Sequence, residues 1–325
     1  MSGQLLLSLD LPKTDQPDLT DFDRVVIGNS GGKDSQRMLG YVADLAAAAG
    51  VLDRVVVVHN DLGVTDTGRP VEWPGTRTLA RLQSEAYGLR FEVVHREING
   101  LYQQARQERH AFPSSSARWC TSDQKTSQAM KLVTRLVAEA GVTGRPARVL
   151  YCLGLRAEES PARARKAAVA VDGRSNSVRT ITRWHPIHQM TEAEVWEGIH
   201  ASGVPYHPAY GWGMSRLSCS LCVLSSWDDL VLAARLRPAL VRDYLTLERE
   251  FAEQPNQKLA AIANFRSDFS MADVAAAARN AGPLGFACPR PDCTPVPIID
   301  DVHDPFDPPP CPAHPGEFRT RLAAA

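Results

Sequence analysis

Four short runs of β-branched and aliphatic residues mark the first half of the chain: residues 23–28 (DRVVIG), 53–60 (DRVVVVHN), 89–97 (LRFEVVHRE) and 147–155 (ARVLYCLGL). Each is apolar at consecutive positions, the pattern of strands covered on both faces. Between them, residues 35–50, 76–88 and 122–141 repeat apolar residues at helical spacing, and each stretch ends near a glycine suited to a left-handed cap. Strand and helix in alternation predict a parallel sheet with helices on both faces, whose ligands bind beyond the carboxyl ends of the strands. Thr191 and Glu194 have the spacing of a capping box, so a further helix is expected over 191–202. From Trp227 to about Asn280 the pattern is helical and alanine-rich; after Pro283 the proline density rules out helix or central strand. The predicted organisation is an N-terminal tail (1–20), an α/β domain with a doubly wound parallel sheet (21–226), a helical extension (227–282) and a small Cys/Pro-rich segment (283–325).

Composition changes this picture little. A chain of 325 residues with 44% hydrophobic content suits a soluble globular protein. Its net charge of −1 argues against a uniformly basic nucleic-acid coat. Arg145 to Arg183 holds nine Arg/Lys against three Asp/Glu, a local basic face that could contact nucleic acid or simply be solvated. No apolar run approaches the ~20 residues that span a bilayer, and the start lacks a basic n-region, so a cytoplasmic location is expected. Seven cysteines in a reducing compartment point to thiols or metal ligands before disulfides.

Residues 28–35, GNSGGKDS, follow the first apolar run and precede a helical pattern. A glycine-rich turn at a helix N-terminus aims several backbone N–H groups at one spot that the helix dipole makes favourable for negative charge. Gly31 and Gly32 allow close approach, Ser30 and Ser35 add hydroxyls, and Lys33 adds a cation. Asp34 is the odd residue in an anion cradle; it fits there by meeting Mg²⁺ or by capping the loop's own amides. The pattern is neither a Walker A loop nor G-x-G-x-x-G.

SGGKDS resembles the pyrophosphate-binding loop of the PP-loop ATP pyrophosphatases, the adenine-nucleotide α-hydrolase-like superfamily. Within it, HNDLG after the second run, PSSSARWCTSDQK (113–125), GLRAEES (154–160) and HPAYGWGMSRLSCSLC (207–222) resemble the phosphoadenosine phosphosulfate (PAPS) reductase family. The resemblance covers about residues 21–230. It implies that Ser30 to Ser35 bind phosphates, that His59 to Asp61 lie near adenine and ribose, and that Lys125 and Arg156 face the nucleotide. Cations at the ends of elements on that side would stabilise charge as an α-phosphate is attacked.

Cys219 and Cys222 form a C-x-x-C, whose sulfurs can share a metal, a cluster or a redox bond. The resemblance brings Cys120 to the same mouth. Iron–sulfur adenylylsulfate reductases carry a cysteine pair followed at the same spacing by a lysine, as Cys120 is followed by Lys125, but here Thr121 replaces the second cysteine. Three ligands, Cys120, Cys219 and Cys222, are thus expected for a cluster of the 4Fe–4S type with one open iron, as in tRNA-thiolating relatives. The alternative is a buried thiol and a simple thiol pair. The Glu-Cys-Gly-Leu-His tail of cluster-free PAPS reductases is absent. Cys288, Cys293, Cys311 and His314 instead have spacings that suit Zn²⁺.

The expected activity is ATP pyrophosphatase-type activation coupled to sulfur transfer. ATP or PAPS and Mg²⁺ would be the ligands, a sulfur-donor protein a partner, and a homo-oligomer the working state. Two alternatives stand beside it: a PAPS or adenylylsulfate reductase releasing sulfite, and a nucleotide-binding accessory module without turnover.

Overall fold

The computed structural model describes residues 16–281, together with the backbone of two short paired strands at Gly285–Phe286 and Val296–Pro297. The expected zinc ligands Cys288, Cys293, Cys311 and His314 lie outside the described residues. So do residues 1–15 of the N-terminal tail.

Six strands, β1 (Arg24–Gly28), β2 (Val55–Asn60), β3 (Arg90–Val94), β4 (Ala147–Cys152), β5 (Val169–Val171) and β6 (Arg179–Trp184), form one sheet in the order β3-β2-β1-β4-β6-β5. All neighbours are parallel except β5, which runs antiparallel to β6. The chain reverses its direction of travel across the sheet after β3. The strands flanking that switch, β1 and β4, pair Ile27 with Cys152, so their carboxyl ends open onto one crevice.

Successive side chains of β1 go to opposite layers. Val25 and Ile27 pack with Met38, Leu39 and Val42 of α1 (Lys33–Ala48), whereas Val26 packs with Leu132, Val133 and Leu136 of the later helix Ser127–Ala140. Burying side chains of this size contributes about 1.5–3 kcal/mol each, which ties the sheet to both helical layers. Between them in sequence lies α2 (Thr76–Glu85); Ser127–Ala140 is α3 and Glu192–Ser202 is α4. The glycines after α1, α2 and α3, Gly50, Gly88 and Gly141, all have positive φ, the left-handed stops expected from the pattern. At α4 the capping box is formed: Thr191 N donates to Glu194 Oε2 at 2.6 Å and Glu194 N to Thr191 Oγ1 at 3.3 Å.

The helical extension comprises α5 (Trp227–Leu236), α6 (Pro238–Glu253) and α7 (Met271–Asn280). It shares one core with the loop after β2 (Leu62, Val71, Trp73) and with residues 209–223. Phe112 is central to this core, its ring 5.1 Å from Phe251, 5.3 Å from Phe265 and 5.8 Å from Tyr244. Residues 207–225 therefore form a strap held between the extension and the sheet. Buried Arg237 fastens it: Nη1 donates to the carbonyls of Pro70 (2.9 Å) and Glu72 (2.7 Å) and to Ser220 Oγ (2.6 Å).

The β5–β6 hairpin was not expected from the sequence pattern. It occupies the end of the Arg-rich stretch, where two arginines converge on one carboxylate: Arg174 grips Asp172 at 2.6 and 2.5 Å, and Arg183 reaches the same carboxylate at 3.5 Å. Among the described residues no helix is long and apolar enough to cross a membrane.

Candidate functional site

β1 hands over to α1 through Asn29–Gly32, and this turn is built by its own side chains. Gly31 N donates to Asn29 Oδ1 at 2.9 Å, and Ser35 Oγ donates to Asn29 Oδ1 at 3.0 Å and Gly32 O at 2.8 Å. Gly31 has φ +72°, the left-handed region that favours glycine, and a Cβ there would press on Thr76 Cγ2 at 3.0 Å, so conformation above all calls for glycine. Gly32 is different. Its φ of −81° suits any residue, and a Cβ would make ordinary contacts of 3.4 Å with Leu217 and Tyr210. Free backbone approach is thus a strict requirement at Gly31 only. Behind the loop, Gly154 after β4 lies so close that a Cβ would stand 3.0 Å from the backbone of Asp34 and Ser35.

The charged residues of the loop are already engaged. Arg156, its side chain 3% exposed, donates Nε to Asp34 Oδ1 at 2.6 Å and also pairs with Glu158. Burial would lower the guanidinium's pKa, but Asp34 and the neighbouring glutamates outweigh it and hold the group firmly charged. Lys33 Nζ donates to Ser215 O at 3.0 Å and lies 3.6 Å from Asp34 and 3.5 Å from Glu192. The carboxylate expected to meet Mg²⁺ therefore sits between two protein cations, and Arg156 is a neighbour of the loop before it is a neighbour of any ligand.

At the end of β2, His59 is fully buried. Its Nδ1 lies 3.0 Å from Asn29 O and its Nε2 3.4 Å from Glu72 Oε2. Burial pushes the imidazole pKa down, but Glu72, then the Asn29 carbonyl and Asp61, together more than offset this and the net direction is up. Asp61 accepts from Gly63 N at 2.8 Å and faces exposed Arg77 at 3.5 Å. His207, which carried no expected role, is structural: Nε2 lies 3.0 Å from Pro74 O and Nδ1 accepts from Ala209 N.

Glu72 leads to the cysteines, because its backbone bridges that of Cys219. Cys120, Cys219 and Cys222 all line one small apolar cavity with Leu101, Phe112 and Tyr244. Lys125, in the π-helical turn Ser122–Thr126 ahead of α3, stands beside them. Burial would lower its pKa, yet Cys219, Glu72, Cys222 and Cys120 together raise it, so the ammonium stays charged. The Cys219 thiol donates to Cys222. That bond first, then the Leu224 N–H at 3.5 Å, Ser218 and Lys125, pulls Cys222 down to about 5 against burial. Cys219 is driven up by the same bond and by burial; Cys120 is raised by burial.

A three-cysteine cluster needs three thiolates facing one metal group. The three residues share a cavity and an apolar setting, which suits such a cluster in chemistry. Among the described residues no group of three or more His, Cys, Asp or Glu side chains is gathered closely enough to hold a single metal ion. As arranged, Cys219 and Cys222 are neighbouring free thiols whose mutual contact favours charge on Cys222, with Cys120 alongside.

Four residues of this site carried no expectation. Glu72 links His59, Lys125 and Cys219; its signal was a carboxylate within the Pro-rich GRPVEWPG turn. Tyr210 lies on the glycine loop, its hydroxyl accepting from Lys33 N at 2.8 Å. Asp229 and Arg237 anchor the strap from the extension, at sequence distances that no local pattern reveals.

The family model for the phosphoadenosine phosphosulfate reductase domain matches residues 24–225, well over half of the chain. An uncharacterised protein of Methanocaldococcus jannaschii is 22% identical over 232 residues, 71% of this chain; the chain spans 43% of that relative's length. Among solved structures, PAPS reductase of Candida auris in a phosphate complex is similar at 18% identity and TM-score 0.42, covering 62% of this chain and 83% of that one. FMN adenylyltransferase of Candida glabrata with FAD and inorganic pyrophosphate follows at 13% identity and TM-score 0.40, covering 61% and 55%. With its six-stranded sheet and its glycine loop at the carboxyl edge, the chain belongs to the phosphoadenosine phosphosulfate reductase domain family, within the PP-loop adenine-nucleotide α-hydrolase-like superfamily.

Proposed function

We propose that this chain is an enzyme that activates a substrate with ATP and couples the activation to sulfur transfer. In the first step an acceptor oxygen attacks the α-phosphorus, the bond to the bridging oxygen breaks, and pyrophosphate leaves with that electron pair. Loop amides, Lys33 and the positive end of α1 stabilise the departing charge. In the second, a sulfur nucleophile delivered by a donor displaces AMP from the activated acceptor. Where that donor is a persulfide, Cys222, held as thiolate by Cys219 and Lys125, attacks its outer sulfur and the donor thiolate leaves. The Cys222 persulfide then attacks the acceptor, and Cys219 attacks Cys222 Sγ to release the thiolated acceptor and close a disulfide that an external thiol reduces.

The observation that carries this reading is the strap. One continuous segment runs from Tyr210 and Leu217 at the anion loop to Cys219 and Cys222 beside Lys125, so a phosphate grip and a sulfur group share one site. Asp34 and Arg156 would then set the loop, and His59 and Asp61 would border the nucleoside. Asp34 is the carboxylate that would hold Mg²⁺, which would offset phosphate charge there. The second reading, reduction of PAPS or adenylylsulfate to sulfite, is favoured by the thiol pair itself: attack of Cys222 on sulfur, then closure of a Cys219–Cys222 disulfide, would balance the two electrons. Product analysis separates them. Pyrophosphate and AMP from ATP support the first; sulfite from PAPS or adenylylsulfate supports the second; nucleotide binding without any product would leave only an accessory module. A cluster on Cys120, Cys219 and Cys222 is tested separately by iron analysis of anaerobically purified protein. Iron lost in Cys120→Ser supports it, and iron-free wild type ends it. Zinc analysis does the same for Cys288, Cys293, Cys311 and His314.

A further inference from the structure

We propose that Tyr210 is an internal stand-in for a phosphate oxygen: its hydroxyl latches the glycine loop, and a bound phosphate must displace it, which couples the loop to the cysteines. This rests on reading Ser30 to Ser35 as a pyrophosphate cradle. The backbone N–H of Lys33, the first residue of α1, donates to Tyr210 Oη at 2.8 Å, the position an anion oxygen takes at a helix N-terminus. Nearby loop amides are met from within, Ser30 N by Ser35 Oγ at 3.2 Å and Gly31 N by Asn29 Oδ1 at 2.9 Å. Lys33 N is met by a side chain from the strap.

That strap is gripped again by the same lysine, since Nζ donates to Ser215 O at 3.0 Å. Ser215 is in turn pinned to α5: its N and Oγ donate to Asp229 at 2.9 and 2.6 Å. The tyrosine ring is held edge-on by Trp196, centroids 5.0 Å apart at 89°, and lies 5.7 Å from Lys33 Nζ. Leu217 closes the other side of the loop, 3.4 Å from where a Gly32 Cβ would be. A phosphate oxygen that accepts the Lys33 N–H pushes the hydroxyl aside. A phosphate that draws Lys33 Nζ to itself also releases Ser215. Both contacts lie on the segment that continues into Cys219 and Cys222, so occupancy of the cradle changes the setting of the thiols.

The test uses inorganic pyrophosphate with the full chain and with Tyr210→Phe, which keeps the ring against Trp196 and removes only the hydroxyl. Calorimetric titration should give about threefold to tenfold tighter binding in the variant, the scale of one competing hydrogen bond. Alkylation of Cys222, followed by peptide mass spectrometry, should change in rate by about threefold or more when pyrophosphate saturates the wild type, and by less in Tyr210→Phe, where the latch is already open. Equal affinities in the two proteins would overturn the latch while leaving the cradle standing. Alkylation unmoved by bound pyrophosphate would overturn the coupling. Pyrophosphate that binds neither protein would overturn the cradle and the latch with it.

Discussion

Cys219→Ala should return Cys222 towards an ordinary thiol, and the size of the effect sets how it must be measured. With its pKa pulled from an ordinary 9.0 to about 5, Cys222 is thiolate in about 99% of molecules at pH 7, against about 1% for the unperturbed group. That is a hundredfold gain in population. Nucleophilicity falls with pKa at a Brønsted slope of about 0.4–0.5, which over about four units forfeits about 40- to 100-fold. The two nearly cancel, so a single alkylation rate at neutral pH says nothing; the profile does. On reduced, chelator-treated protein, iodoacetamide modification of Cys222 should be flat from about pH 6 to 9 in the wild type. In Cys219→Ala the largest lowering cause is gone, while Leu224 N–H, Ser218 and Lys125 remain. The midpoint should move up by about two units or more, and the rate should climb with pH through neutrality. A wild-type rate that rises about tenfold per unit between pH 6 and 8 would refute the thiol–thiolate pair.

Further outcomes follow from the packing around the loop. Gly154→Ala places a Cβ 3.0 Å from the Asp34 and Ser35 backbone, so urea unfolding should show a loss of about 1–3 kcal/mol together with weakened nucleotide binding. Arg156→Ala leaves Asp34 with Lys33 as its remaining cation; because Asp34 is one-fifth exposed, the loss should be about 2–3 kcal/mol, short of a fully buried pair, and Asp34→Ala/Arg156→Ala should cost less than the sum of the singles. His59 has a raised pKa, so its pairing with Glu72 stabilises the fold fully below the unfolded value of about 6.5 and is lost as pH rises through the higher folded value. Chemical denaturation should therefore show stability falling above about pH 6.5, and Glu72→Gln should flatten that fall; an unchanged slope would remove the pair from the account.

Strands and helices were legible because their signals are local. Val55–Val58 is apolar at every position and is a strand buried on both faces; Thr191 and Glu194 state a helix start within four residues. SGGKDS announced an anion loop for the same reason. The β5–β6 hairpin was hidden because only Ile181 and Trp184 of β6 are fully buried, and arginines and threonines take the other positions. That Cys120 shares a cavity with Cys219 and Cys222 followed from resemblance, and no spacing gives it. Tyr210, Asp229 and Arg237 were illegible as site residues, because each acts through hydrogen bonds to backbone or side chains that only the tertiary fold brings near. Trp196 packs half-buried against the core that Met38, Leu39 and Val195 share, and from there holds Tyr210 edge-on.

The central claim is that the loop from Ser30 to Ser35 grips the pyrophosphate of an adenine nucleotide. Competitive equilibrium titration of ATP and inorganic pyrophosphate onto wild type and Gly31→Val tests it most directly, with circular dichroism and thermal unfolding to establish that the variant is folded. Pyrophosphate should displace ATP one for one in the wild type, AMP should compete far more weakly, and folded Gly31→Val should bind neither ATP nor pyrophosphate, because its Cβ and the φ of +72° rebuild the turn. Pyrophosphate that leaves ATP in place, or a folded Gly31→Val that binds both normally, would contradict the account.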